Sequence, residues 1–539
     1  MHLSVDLSPN PRQLIPQSIY THQRWTFYKY EIDIPMGEGT SERWTYAITS
    51  HLGCTRYEFV VAGRHENGWR FIAHSGNDFA VSTSQNERAK LGGAGLMWKD
   101  VLQKNVECGG FHVQLGLGDQ IYGDRLWKEV PLLKQWLSMQ GRENRKNAQW
   151  TARHEEDVSH AYFHYYTSHF DQPFLREAFA QIPHILQIDD HDIFDGFGSY
   201  PAYMQQSAIF KNIGRIAIEM YLLFQHHTTI EILRNVNHDL DLFTITVPVV
   251  YPRLDTVETL ANTFATGKKA VNSTYNLLGK ATSSVAGIIG GKEVVSQGFT
   301  QVKKAVGKTG LMGNVLNQFG DFELADELRD LWTHESKDLE RTYFIRTLQG
   351  ISQQKGIRMT FLSGDVNSAG AGLVHDPSHP SDHKTMYQII TSPIVASPSS
   401  NYILKMLHNN KLLYVPANGH KSTHEVSDTK EDMMEIFHTD ASGTARELKK
   451  LIGRRNYAAC VVYDPDTLNG GAGAAGGAAG ASNYAHSTAG SGSGGSAGGS
   501  SAGLSKLSLA VDFVVQGDGQ FTMPTKYGPV IVPHLEFGH

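Results

Sequence analysis

The period of the hydrophobic pattern changes along the chain, and each change marks an element type. Between residues 24 and 74, aromatic and β-branched residues recur in the short runs RWTFYKYEIDI, RWTYAIT, YEFVVAG and WRFIAHS, separated by Gly, Glu and Asn; this predicts strands. From about 92 to 465 strands and helices alternate. FHVQLGLGD, IPHILQIDD and GIRMTFLSGD each run from apolar residues straight into an aspartate, the pattern of an α/β sheet that collects ligands at the C-terminal ends of its strands. Helices are predicted over 156–168, 203–225 and 337–354, the last with Leu339, Tyr343, Ile345, Leu348 and Ile351 near one face.

Two segments break this alternation. Residues 469–503 are almost all Gly, Ala and Ser, too poor in apolar surface to order themselves, and are expected to form a disordered loop. The tail LSLAVDFVVQGDGQFTM then alternates like a strand returning to pair with NYAACVVYD. Residues 255–315 carry seven lysines, with Val271, Tyr275, Leu278, Val285, Ile288, Val295, Phe299, Val302 and Val306 at helical steps. Such a segment either lies in an anionic lipid interface or packs as an amphipathic insertion on the domain's own surface. The expected organisation is a β-rich N-terminal module over 1–70, an α/β domain over 71–468 that contains this insertion, the 469–503 loop, and returning strands over 504–539.

Composition narrows the class. A chain of 539 residues with 40% hydrophobic residues can bury a large core, and its formal charge of -6 supplies no basic field for nucleic acid. Three dispersed cysteines suit a reducing compartment rather than a disulfide framework. The N-terminus has no apolar signal core, and no run of about 18 apolar residues occurs, so a cytoplasmic protein with peripheral membrane contact is expected.

The candidate chemistry lies where strands end. In LGLGDQIYGDRLW, Asp119 leaves a glycine-flanked strand end and Tyr122 follows three residues on. DDHDIFDGFG places Asp189, Asp190, His191, Asp192 and Asp195 after the next strand: hard oxygen donors beside an imidazole, or a cluster of caps and turns. FLSGDVNSAGAG brings Asp365 and Asn367 out of a third. Three acidic strand ends together describe a two-metal centre that activates water and stabilises displacement at phosphorus. Arg253, in YPRLD, either clamps a phosphate or forms an ion pair. His184, His226, His227 and His420 read as core or surface residues, and Arg454 and Arg455 as structural ones.

GDQIY, DDHDIFDGFGSY and SGDV, in this order and spacing, resemble the PhoD-like (alkaline phosphatase D) branch of the metallophosphatases. WRFIAHSGNDF, MWKDVLQKN, VVYPRLD and IGRRNYAA extend the likeness to the large fungal-type PhoD-like proteins. The resemblance implies a four-layer α/β/β/α sandwich and hydrolysis of a phosphate mono- or diester by a metal-activated hydroxide. It further implies two metal ions, divalent or ferric with divalent, drawn from Fe, Ca, Mn or Mg. Carried over by motif, Asp119 bridges the metals and serves catalysis, Tyr122, Asp190 and Asp365 ligate them, and His191 contacts the phosphate and assists the leaving oxygen. The chain departs from the family pattern twice: Gly76 stands where a cysteine ligates iron, and Asn367 where a histidine is usual. Asp78 and Asn367 are the expected substitute ligands, favouring a metal harder than iron, and Asn77 and Arg253 are the expected substrate contacts. The alternative reading is a catalytically degenerate metallophosphatase fold acting as a membrane-surface binding or scaffold protein.

Overall fold

The computed structural model describes residues 2–5, 11–50, 53–235, 246–253, 331–408, 413–415, 427–440, 442–466, 507–517 and 523–535. The predicted lipid-facing helix over 255–315, the 469–503 loop and His420 lie outside the described residues.

The N-terminal module is built from β1 (His2–Val5), β2 (Arg12–Gln13), the hairpin β3 (Gln17–His22) with β4 (Trp25–Lys29), and the long pair β5 (Ser41–Ser50) and β6 (Gly53–Ala62). β7 (Gly68–His74) leaves this module and enters the first of two large sheets. There it pairs in parallel with β8 (Val113–Gly116), which pairs in parallel with β9 (His184–Leu186). The second sheet contains β10 (Thr360–Ser363), β11 (Ala369–His375), β12 (Met386–Ile390), β13 (Leu413–Tyr414), β14 (Lys430–Met433) and β15 (Leu451–Ile452). The chain then returns to the first sheet as β16 (Asn456–Tyr463), β17 (Ser508–Val515) and β18 (Thr525–Val532). β16 and β17 run antiparallel in unbroken register from Asn456↔Val515 to Tyr463↔Ser508, the pairing that the alternation predicts.

Alternation in the strands explains the layering. Phe71 and Ala73 of β7 join Ala458, Cys460, Val511 and Phe513 of the same sheet and Ala369, Ala371 and Ile389 of the other in one core between the sheets. Ile72, Tyr457 and Val514 point the opposite way, onto Met97, Trp98 and Val101 of helix Gly95–Glu107 and Leu175 and Ala178 of helix Leu175–Gln181. Behind the second sheet, Val374 and Met386 pack on Ile345 of helix Asp338–Lys355, while Ile390, Met433 and Leu451 pack on Ile403, Leu404 and Leu407 of helix Asn401–His408. Helix, sheet, sheet and helix are the four layers expected, and the fold is α/β. A further aromatic cluster, including Trp127, Trp136, Phe194 and Phe210, binds helices Ala152–Phe170 and Ala208–Gln225 beside the first sheet.

The predicted apolar face of the 338–355 helix is corrected. Leu339 and Tyr343 are 69% and 75% exposed, and the buried side carries Arg341, Thr342, Ile345, Gln349 and Ser352. Arg341 and Gln349 are satisfied inside: Arg341 pairs with Glu431 and donates to the Val249 carbonyl at 2.7 Å, and Gln349 donates to the Lys384 carbonyl at 2.9 Å. Hydrogen-bonding partners in the core overrode hydropathy in choosing the face.

Candidate metal centre

Four loops meet at the C-terminal ends of β7, β8, β9 and β10, and backbone bonds hold them together. Asn77 N donates to the Asp119 carbonyl at 2.7 Å, Leu117 N to the His74 carbonyl at 2.7 Å, and Gln187 N to the Gly116 carbonyl at 2.9 Å. Asp119, Asp365 and Asn367 adopt left-handed backbone at φ 57°, 62° and 49°, a conformation that costs a non-glycine residue free energy and that tends to gather at functional sites.

Asp192 ties the loops after β8 and β9 together. Its buried carboxylate accepts from Asp119 N at 3.0 Å and Asp189 N at 2.9 Å on one oxygen, and from Gln120 N at 3.1 Å, Ile121 N at 3.3 Å and Gln225 Nε2 at 3.0 Å on the other. The side chains of Asp119, Asp189 and Asp190 are thereby turned toward one point, with an oxygen of each within 4.8 Å of the others. Asp119 Oδ1 and Asp189 Oδ2 are buried and have no hydrogen-bond partner. Burial, and then the charges of neighbours that include Asp190 and Asp365, push the Asp119 carboxyl well above the usual carboxylate range despite His191; burial followed by Asp119 does the same to Asp189. Asp365 approaches from the second sheet and is lifted to about 7, by burial first and Asp190 second.

His191 lies on this cluster, stacked on the buried Tyr122 ring at 4.0 Å between centroids. Its Nδ1 is 2.9 Å from Asp124 Oδ2, and its Nε2 is 3.9 Å from Asp195 Oδ1. Burial opposes a charge on the imidazole, but Asp124, Asp195, Asp190 and Asp119 together hold its proton well above the ordinary histidine range. The second oxygen of Asp124 accepts from Asp195 N at 2.6 Å, which fixes the dyad to the glycine turn that follows.

The expected residues divide. Asp119, Tyr122, Asp190, His191 and Asp365 come together. Asn367 sits at the mouth of the same β10 loop, its backbone N donating to Ser392 Oγ at 3.2 Å. Asp78 does not take the expected ligand position: it pairs with Arg125 at 2.9 Å and caps Phe79 N at 2.7 Å. Asn77 is not a substrate contact either, because it is fully buried, accepting from Trp98 Nε1 at 2.8 Å and donating to Gln120 at 3.3 Å. Arg253 is spent in the interior, buried in an ion pair with Asp338 and donating to the Thr333 carbonyl. Asp189, absent from the ligands carried over by motif, stands in the cluster itself. Asp124 was missed, although a second Gly-Asp five residues after Gly118-Asp119 was a readable signal.

The donor set fits a cation: three carboxylates converge, two of their oxygens are buried without a partner, and no protein cation other than His191 offsets them among the charges that perturb Asp119. A model of the family described as PhoD related phosphatase matches residues 34–247 and 245–539. The chain belongs to the PhoD related phosphatase family. Uncharacterized protein YGR266W of Saccharomyces cerevisiae is 26% identical to this PhoD-related chain over 516 residues, spanning 80% of it and 70% of the yeast protein. A solved structure of PhoD aligns with 79% of the PhoD-related chain and 72% of its own at 10% identity, with a TM-score of 0.33.

Proposed function

We propose that this PhoD-related protein is a metal-dependent phosphoric ester hydrolase. The observation that carries the reading is the pair of unpartnered, buried oxygens of Asp119 and Asp189, facing Asp190 in one cluster beside the His191–Asp124 dyad. Asp119, Asp189 and Asp190, with Asp365 and Tyr122 around them, would hold the metal ions. Metals bound there lower the pKa of water to near neutrality and offset the charge that develops on a phosphoryl group.

The remaining chemistry falls to the chain. As hydroxide, left when water at the site gives a proton to solvent, adds to phosphorus and the ester P–O bond breaks, the leaving oxygen takes a proton from His191 Nε2, which solvent then restores. Asp124 holds the other ring nitrogen at 2.9 Å, fixing the ring's orientation and favouring its charged form. Tyr122 stacked beneath the ring restricts its rotation.

The test is hydrolysis of p-nitrophenyl phosphate and bis-p-nitrophenyl phosphate by the full chain after removal of metal and after return of Mn, Mg, Ca or Fe. Metal-dependent turnover that Asp119→Asn abolishes is expected. Absence of turnover with every metal, or turnover indifferent to Asp119→Asn, rejects the reading.

A further inference from the structure

The structure shows why the usual cysteine position is empty of a ligand and what stands in for it. Gly76 has φ +59°, and a Cβ built on it would meet the Pro393 Cβ at 2.7 Å and its Cα at 3.2 Å. Pro393 cannot retreat easily: Ile394 N donates to the Ser75 carbonyl at 2.8 Å, Val395 N and Ala396 N donate to the Gly76 carbonyl at 3.0 Å, and the Pro393 carbonyl accepts from Asn456 N at 2.8 Å. The strand-end corner from which a thiolate would reach the metal is thus filled by another segment.

At Gly118 the backbone is open in a complementary way. Gly118, at φ +99°, has no Cβ, and the Asp189 Cβ occupies that space, 2.6 Å from where a Gly118 Cβ would stand. Asp189 can therefore lean in until its Oδ2, buried and unpartnered, lies within ligand spacing of Asp119 and Asp190, while its Oδ1 caps the following turn through Asp190 N at 3.0 Å. No nitrogen or sulfur atom completes that group of three among the described residues.

We propose that Asp189 is a direct metal ligand that takes over the first-sheet ligand role lost with the cysteine, making the centre an oxygen-only site for hard divalent cations such as Mg, Mn or Ca. The inference rests on the metal-binding reading above. It differs from the ligand set carried over by motif, which does not include Asp189.

The experiment is equilibrium binding of Mn2+ and Cd2+ to the metal-free full chain, with Asp189→Asn, Asp189→Cys and, at an exposed ion pair with Arg176 outside the site, Asp171→Asn as variants. Loss of Asp189 is expected to raise the Mn2+ dissociation constant at least about tenfold, while Asp171→Asn stays within about twofold. Asp189→Asn keeps an amide oxygen for the Asp190 N cap, so a purely structural role would leave Mn2+ binding near wild type. Asp189→Cys is expected to shift the Cd2+/Mn2+ preference toward Cd2+ at least about tenfold and to add a thiolate-to-metal band in the near ultraviolet. Unchanged Mn2+ affinity in Asp189→Asn, or an unchanged preference in a folded Asp189→Cys, overturns the ligand assignment. Failure of the wild type to bind Mn2+, Cd2+ or any other cation instead overturns the underlying metal-binding reading.

Discussion

Restoring the missing cysteine should fail, and the structure gives the size of the failure. In Gly76→Cys the new side chain must adopt left-handed backbone, which costs roughly 1–2 kcal/mol, and must press on Pro393, an overpacking that costs about 1–3 kcal/mol. Reduced freedom of the unfolded chain returns about 0.5–1 kcal/mol. The net loss is about 1–4 kcal/mol, because the hydrogen bonds from Ile394, Val395, Ala396 and Asn456 prevent the proline segment from moving aside. The assay is the denaturant midpoint of the metal-free variant beside wild type, together with the near-ultraviolet spectrum after cobalt is added. Lowered stability without a thiolate-to-cobalt band is expected. Wild-type stability with a strong band would refute the reasoning, since it would show that the corner admits a ligand and that Pro393 yields.

Three further outcomes follow from individual contacts. Asp192→Asn removes an acceptor facing the Asp119 and Asp189 N–H groups, so metal affinity measured by equilibrium titration should fall about 10–100-fold although Asp192 touches no metal. Asp365→Asn should stabilise the metal-free protein at pH 8 and not at pH 4. Its folded carboxyl titrates at about 7 against an ordinary 3.8, so the wild type loses stability as pH rises through that window; the difference between the two pH values is on the order of 4 kcal/mol at most, read from paired denaturant midpoints. Arg253→Ala removes the buried guanidinium that pairs with Asp338 and donates to the Thr333 carbonyl, and should cost about 3–5 kcal/mol of stability while KM for an ester measured on the folded fraction stays unchanged.

Much of the fold is legible because its pattern is local. The runs that end in Asp119, Asp190 and Asp365 are short buried strands feeding acidic loops, and β16 and β17 find each other through alternation on either side of a Gly-rich stretch. The face of the 338–355 helix is not legible, because Arg341 and Gln349 turn inward only where Glu431, the Val249 carbonyl and the Lys384 carbonyl happen to receive them. Within the centre, residue type marks the loops and long-range packing assigns the roles. Asp78 lies two residues beyond the vacant cysteine position, yet Arg125, 47 residues away in sequence, claims its carboxylate. Asp189 looks like a cap beside Asp190, and only the absence of a Cβ at Gly118, brought alongside from another strand end, lets it join the cluster. Asn77 and Arg253 are polar residues in suggestive motifs whose hydrogen-bonding capacity is spent in the interior.

Hydrolysis of bis-p-nitrophenyl phosphate followed as metal-free protein is titrated with Mn2+, with bound metal counted at each point, tests the metal-dependent hydrolase most directly. The account expects rate to rise with occupancy in the wild type, to level off when the acidic cluster is filled, and to stay at background in Asp119→Asn across the same titration. A rate independent of bound metal, or filling of the cluster with no hydrolysis at any occupancy, would contradict it.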